Sequence, residues 1–171
     1  GGADGAGGIV SLDAGNPATI VSATSEYSTG WQAANILNSG SSQWSSTADQ
    51  VTDQRIRVRL GGEGTHELST IVLRSSGNSY TVGDFEVYAS PTGDDGSWTK
   101  VLDDTMAPTN AAQTFTLGTP TEAKFLELRL NGTGRYLYLA ELRAVSNEEE
   151  GREFFMGFAR LILAMRGAPK F

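Results

Sequence analysis

Polar and apolar residues alternate strictly through one stretch of the chain. Ile56, Val58 and Leu60 fall on one side, and Arg55, Arg57 and Arg59 on the other. A period of two marks a strand with one buried face. Phe85, Val87 and Ala89 repeat the pattern. Two such runs, distant in sequence and bounded by Gly/Ser/Asp loops, predict two sheets packed face to face. Further strands are expected near Thr19–Ala23, Leu68–Arg74, Trp98–Leu102, Gln113–Leu117, Lys124–Leu130 and Tyr136–Val145. The segments between them, such as Ser76-Gly77-Asn78 and Asn131-Gly132-Thr133-Gly134, carry residues that tolerate turns. The expected fold is all-β, a β-sandwich or a jelly roll of about eight antiparallel strands. Ser25 to Ser46 is a long polar excursion, and such segments are functional or tied down by a few buried anchors. The expected anchors are Ala34, Ile36, Leu37 and Trp44.

Periodicity changes after Val145. Phe154, Phe158, Leu161, Ile162 and Met165 fall at helical spacing, with acids before them and Arg160 and Arg166 toward the end. Within a C-terminal segment of residues 147–171, Glu148–Arg166 is therefore expected to form an appended amphipathic helix, stopped by Gly167 and Pro169. Its apolar face, which Phe155 widens, either folds back on the sandwich or docks into a protein partner. Residues 1–17 read as a flexible Gly-rich arm and 18–146 as the sandwich. The chain does not begin with Met, which reads as a processed product or a fragment.

Composition narrows the function classes. The absence of cysteine removes disulfides, thiolate metal sites and cysteine nucleophiles together. A formal net charge of -7 argues against nucleic acid as a partner and against an anionic membrane surface. His66 is the only histidine and reads as a solvated turn residue. Asp94-Asp95 reads as a turn former, so the chain is expected not to be an enzyme. Asn131-Gly132-Thr133 is formally a glycosylation sequon and is read as a turn.

Seven short segments carry a resemblance, in order and spacing. They are Ser22-Ala23-Thr24-Ser25-Glu26-Tyr27, Ala34-Asn35-Ile36-Leu37-Asn38, Trp44-Ser45-Ser46, Arg57-Val58-Arg59-Leu60-Gly61, Asp84-Phe85-Glu86-Val87-Tyr88-Ala89-Ser90, Gly96-Ser97-Trp98 and Ala140-Glu141-Leu142. Together they resemble the coagulation factor V/VIII type C, or discoidin-like, domain over roughly Thr19 to Val145. That family has a galactose-binding-like jelly-roll fold and includes bacterial carbohydrate-binding modules.

The resemblance implies a sugar site at the loops of one end. Arg74 and Asn78 match family positions that bond sugar hydroxyls, and Ser45 and Ser46 stand where polar ligand residues occur. Tyr80, Tyr27 and Trp31 could supply the stacking face that a sugar ring needs. The alternative is that Arg74 pairs with a surface acid and Asn78 only makes a turn. The resemblance also implies a structural calcium, with Glu141 matching the family's glutamate and Asn38 and Ser42 standing for its other oxygen ligands. One anionic charge is missing from that set, and a metal-free loop is the favoured alternative. The expected function is a non-catalytic carbohydrate-binding module at an extracellular, cell or particle surface, carried by a larger assembly. The other class is a structural or decoration subunit that contacts protein through the N-terminal arm and the helix residues Phe154, Phe155, Phe158, Leu161, Ile162 and Met165.

Overall fold

A computed structural model describes residues 17–38 and 40–146. The expected C-terminal helix, its six docking residues and the greater part of the N-terminal arm lie outside the described residues.

Nine strands build two antiparallel sheets among the described residues. They are β1 (Thr19–Ala23), β2 (Trp44–Ser45), β3 (Gln54–Arg59), β4 (His66–Ser75), β5 (Asp84–Ser90), β6 (Thr99–Thr105), β7 (Gln113–Ala123), β8 (Phe125–Leu130) and β9 (Tyr138–Ser146). One sheet has the order β1-β3-β8-β5-β6, and the other β2-β9-β4-β7. The sandwich matches the alternation, with one correction. The two founding runs, β3 and β5, lie in the same sheet on either side of β8. A period of two reports which face is buried and not which sheet a strand joins.

The core fills the space between the inner faces. Ile56, Val58 and Leu60 meet Leu126, Leu128 and Leu130 and, from the facing sheet, Leu68, Ile71, Leu73, Leu139 and Leu142. Phe85 sits edge-on against Phe115, with ring centroids 4.9 Å apart. Each large side chain so buried contributes roughly 1.5–3 kcal/mol.

Two irregularities aim the outward side chains. A register shift between Leu68 and Thr70 moves the inward phase of β4 from Leu68 to Ile71 and Leu73. Arg74 is thereby turned onto the outer face. A second shift, at Arg74/Ser75 against Glu141/Leu139, does the same for β9. Leu137 and Leu139 point inward there, which leaves Tyr136 and Tyr138 pointing out.

The early loop contains two short 3-10 helices, Thr29–Trp31 and Ala33–Leu37. Three residues per turn align Ala33 with Ile36, so Ala33 is buried and Ala34, expected as an anchor, is exposed. Ile36, Leu37 and Trp44 are buried as expected. The Trp44 indole donates to the Ser25 carbonyl at 2.9 Å, closing the loop on itself.

Candidate functional site: a tyrosine basin at the loop end

Four loops meet beyond one end of the sandwich, and backbone hydrogen bonds lock them together. The Tyr27 amide donates to Ser45, the Tyr138 amide to Tyr80, and the Asp49 amide to Arg135, at 2.9, 2.9 and 2.7 Å. Gly134 sits where the Asn131–Tyr136 loop crosses the Ser76–Thr81 loop. A β-carbon there would run into the Ser79 carbonyl oxygen and lie 3.1 Å from the Tyr80 ring. Only a glycine permits so close a crossing.

These clamps gather five aromatic side chains. Trp31 stacks on Tyr138, with centroids 4.9 Å apart and planes 28° from parallel. Tyr80 leans on Tyr138 at 5.0 Å and meets Tyr136 edge-on at 5.3 Å. Tyr27 meets the other side of the group edge-on, 5.4 Å from Tyr136, and remains 52% exposed. Among the described residues, none of the four tyrosine hydroxyls has a protein hydrogen-bond partner. The hydroxyl of Tyr138 ionises with more difficulty than an ordinary phenol. Burial is the main cause, and Tyr80, Tyr136 and Tyr27 close by add to it. The result is a basin of ring edges and faces with unspent donors and acceptors.

Of the expected ligand residues, Tyr27, Trp31 and Tyr80 meet in this basin. Asn78 stands beside it, in the loop that carries Tyr80. Its Oδ1 accepts from the Ser76 hydroxyl at 2.7 Å and from the Tyr80 amide at 2.8 Å, so it shapes the turn. Its amide nitrogen is left over as a donor. Arg74 follows the blander alternative. Its Nε lies 3.4 Å from Glu141, and its Nη2 donates to the Gly40 carbonyl at 3.1 Å, tying the early loop to the sheet. Ser45 and Ser46 do not face a ligand, because both are fully buried. The Ser45 hydroxyl donates to the Ser46 carbonyl, and the Ser46 hydroxyl accepts from the Leu137 amide. Sequence reasoning did not place Tyr136 and Tyr138 in this group. Their signal was present, since Tyr-Leu-Tyr-Leu after a Gly-rich loop puts two leucines inward and both tyrosines on the opposite face.

The implied calcium set does not fit. Glu141 is its single carboxylate, and its oxygens face Arg74 at 3.4 Å and Arg143 at 3.3 Å. The Asn38 side chain is turned toward the Ala34 carbonyl, and Ser42 is exposed. Two guanidinium groups already neutralise the charge that a hard cation requires. Among the described residues, no three acidic or histidine side chains converge as a metal site.

The other polar candidates are structural. His66 begins β4, half-buried rather than fully solvated, with its Nε2 2.7 Å from the Gly61 carbonyl. Asn131 accepts from the Asp53 amide at 2.8 Å, tying its turn to the residue before β3. A shallow cavity of about 270 Å3 lies beside the basin, lined by Thr81, Gly83, Asp84, Asn131, Gly132 and Thr133.

The arginine stripe lies on the outer face of the five-stranded sheet. Glu127, directly opposite Arg57, accepts from Arg57 and Arg129 at 2.8 Å each, and Arg55 pairs with Asp53. Arg57 lies over Trp98 and Arg129 over Tyr88, at 4.4 and 3.9 Å from the ring centroids. No helix among the described residues is long and apolar enough to cross a membrane.

Comparison with known proteins gives structures of the same fold. The family 32 carbohydrate-binding module of C. perfringens NanJ, solved with galactose, is 25% identical, with a TM-score of 0.64 over 74% of this chain and 92% of that one. The module CpGH89CBM32-5 of Clostridium perfringens, solved with GalNAc-beta-1,3-galactose, is 20% identical, with a TM-score of 0.67 over 81% and 99%. Chitosan-binding module 1 from a Paenibacillus sp. IK-5 chitosanase/glucanase shares 22% identity and a TM-score of 0.62 over 81% and 98%. Curated proteins give no match. The family model for the F5/8 type C domain matches residues 20–142. By that match and by its two-sheet fold, this chain belongs to the F5/8 type C domain family.

Proposed function

We propose that the protein is a non-catalytic carbohydrate-binding module and that the tyrosine basin is its ligand site. The observation that carries this reading is the convergence of Trp31, Tyr27, Tyr80, Tyr136 and Tyr138, with four unpartnered hydroxyls, at the loop end. A sugar offers an apolar ring face and a rim of hydroxyls, and the basin offers the complement of both. The 25% identical NanJ module, solved with galactose, lends support. Tyr27, Tyr80 and Tyr136 contact the sugar, and the free amide of Asn78 adds a donor. Trp31 and Tyr138 form the floor. Arg74 is a positioning residue that steadies the early loop.

The module would act at an extracellular, cell or particle surface, where polymeric glycans are found. The helical periodicity of residues 147–171 supports attachment to a larger assembly through Phe154, Phe155, Phe158, Leu161, Ile162 and Met165.

A glycan array probed with the full chain, followed by titration of Tyr136→Ala, tests the reading. Wild type should bind at least one glycan class, and Tyr136→Ala should lose about tenfold or more in affinity while melting as wild type does, given the worth of a stacked ring in alanine substitution. Binding to no glycan, with assembly lost on deleting residues 147–171, would turn the reading to a structural subunit.

A further inference from the structure

Most of the exposed cations have an acid beside them. Arg55, Arg57 and Arg129 share Asp53 and Glu127, Arg74 and Arg143 share Glu141, and Lys100 has Glu86 and Asp103. Arg59, on the sheet face, and Arg135, at the loop end, do not. Arg135 is exposed in the β8–β9 loop, one residue before Tyr136, and among the described residues no carboxylate lies within ion-pair distance of it. Its guanidinium carbon is 5.6 Å from the centroid of the Tyr136 ring. The charge therefore stands at the rim of the basin.

Its position is held. The Arg135 carbonyl accepts the Asp49 amide at 2.7 Å, and Asp49 is kept at a φ of 67°. Aspartate adopts that left-handed conformation more readily than most side chains, which suits Asp49 to the turn that aims its amide at Arg135. Of the acids on the adjoining loops, Glu26 is engaged by the Ala33 amide at 2.7 Å, and Asp49 makes no ion pair with Arg135.

The chemistry of the rim follows. A guanidinium donates and never accepts, and the four phenols can all donate. A neutral sugar would leave Arg135 without a countercharge. A carboxylate takes the planar fork in two parallel hydrogen bonds while the ring packs on the tyrosines. Resting on the carbohydrate-binding reading, we propose that the basin selects acidic glycans, with Arg135 receiving the carboxylate of a hexuronate-type sugar.

The test titrates the full chain with an oligogalacturonate and with a neutral galacto-oligosaccharide of the same length. Wild type should bind the acidic probe about tenfold more tightly, the worth of a charge-assisted pair at a partly exposed site, and added salt should shrink the difference. Arg135→Gln should abolish the preference and leave affinity for the neutral probe unchanged, and Arg135→Lys should restore part of it. Equal affinity of wild type for the two probes, or an unchanged preference in Arg135→Gln, overturns the proposal. Loss of both probes by wild type, together with an empty glycan array, overturns the carbohydrate reading beneath it.

Discussion

Glu127 shows how a residue's meaning depends on its neighbours. It is nearly fully buried on the outer sheet face, with Arg57, Arg129 and Arg55 around it. Burial alone would raise its carboxyl, but hydrogen bonds and charge from Arg57 and Arg129 outweigh burial and hold it below the ordinary value. A depressed carboxyl stabilises the fold above its unfolded pKa and loses that contribution as pH falls through the folded one. Wild-type melting temperature should therefore drop as pH falls below about 4.3. Glu127→Gln should cost roughly 2 kcal/mol at neutral pH, by leaving Arg57 and Arg129 without their shared countercharge, and should flatten that acid limb. Thermal melts across pH check both outcomes. The arginine face was legible, since the alternation put Arg55, Arg57 and Arg59 on one side of the strand. The serines and Arg74 were not. A family position says where a side chain starts and not what it reaches, and Ser46 reaches Leu137 while Arg74 reaches Glu141.

At the scale of elements, the strands could be read because each buries one face. The exceptions have specific causes. Ala33–Leu37 is too short for a helical period to show, so its anchor was misplaced by one residue. β7 continues to Ala123 past Gly118-Thr119-Pro120, which reads as a break, because the strand shifts register there and pairs again with β4. The basin is a product of loops crossing, and crossings leave no periodic trace. Gly134 is the residue on which this crossing depends. Gly134→Ala should push the Tyr80 and Tyr136 loops apart, cost about 1–3 kcal/mol of stability as an overpacked contact does, and weaken glycan binding although every tyrosine is retained. Calorimetric melting and titration of that variant measure the two effects. Unchanged binding would mean that the crossing does not shape the site.

On the scale of the whole molecule, the sandwich separates two tasks. On the arginine-rich sheet face, Arg55, Arg57 and Arg129 find their countercharges within the domain, on Asp53 and Glu127. Its loop end carries polar groups left unspent, which is where a ligand can contribute binding energy without displacing an internal partner. Composition anticipated this division only in part. The net charge of -7 argued against nucleic acid but concealed Arg135, a cation with no ion pair among the described residues. The most direct test of the basin as ligand site is nuclear magnetic resonance mapping of the full chain during titration with a glycan it binds. The account predicts shifts concentrated on Tyr27, Asn78, Tyr80, Arg135, Tyr136 and Tyr138, with the Arg57–Trp98 sheet face unmoved. Shifts centred on that sheet face, with the tyrosines unchanged, would contradict it.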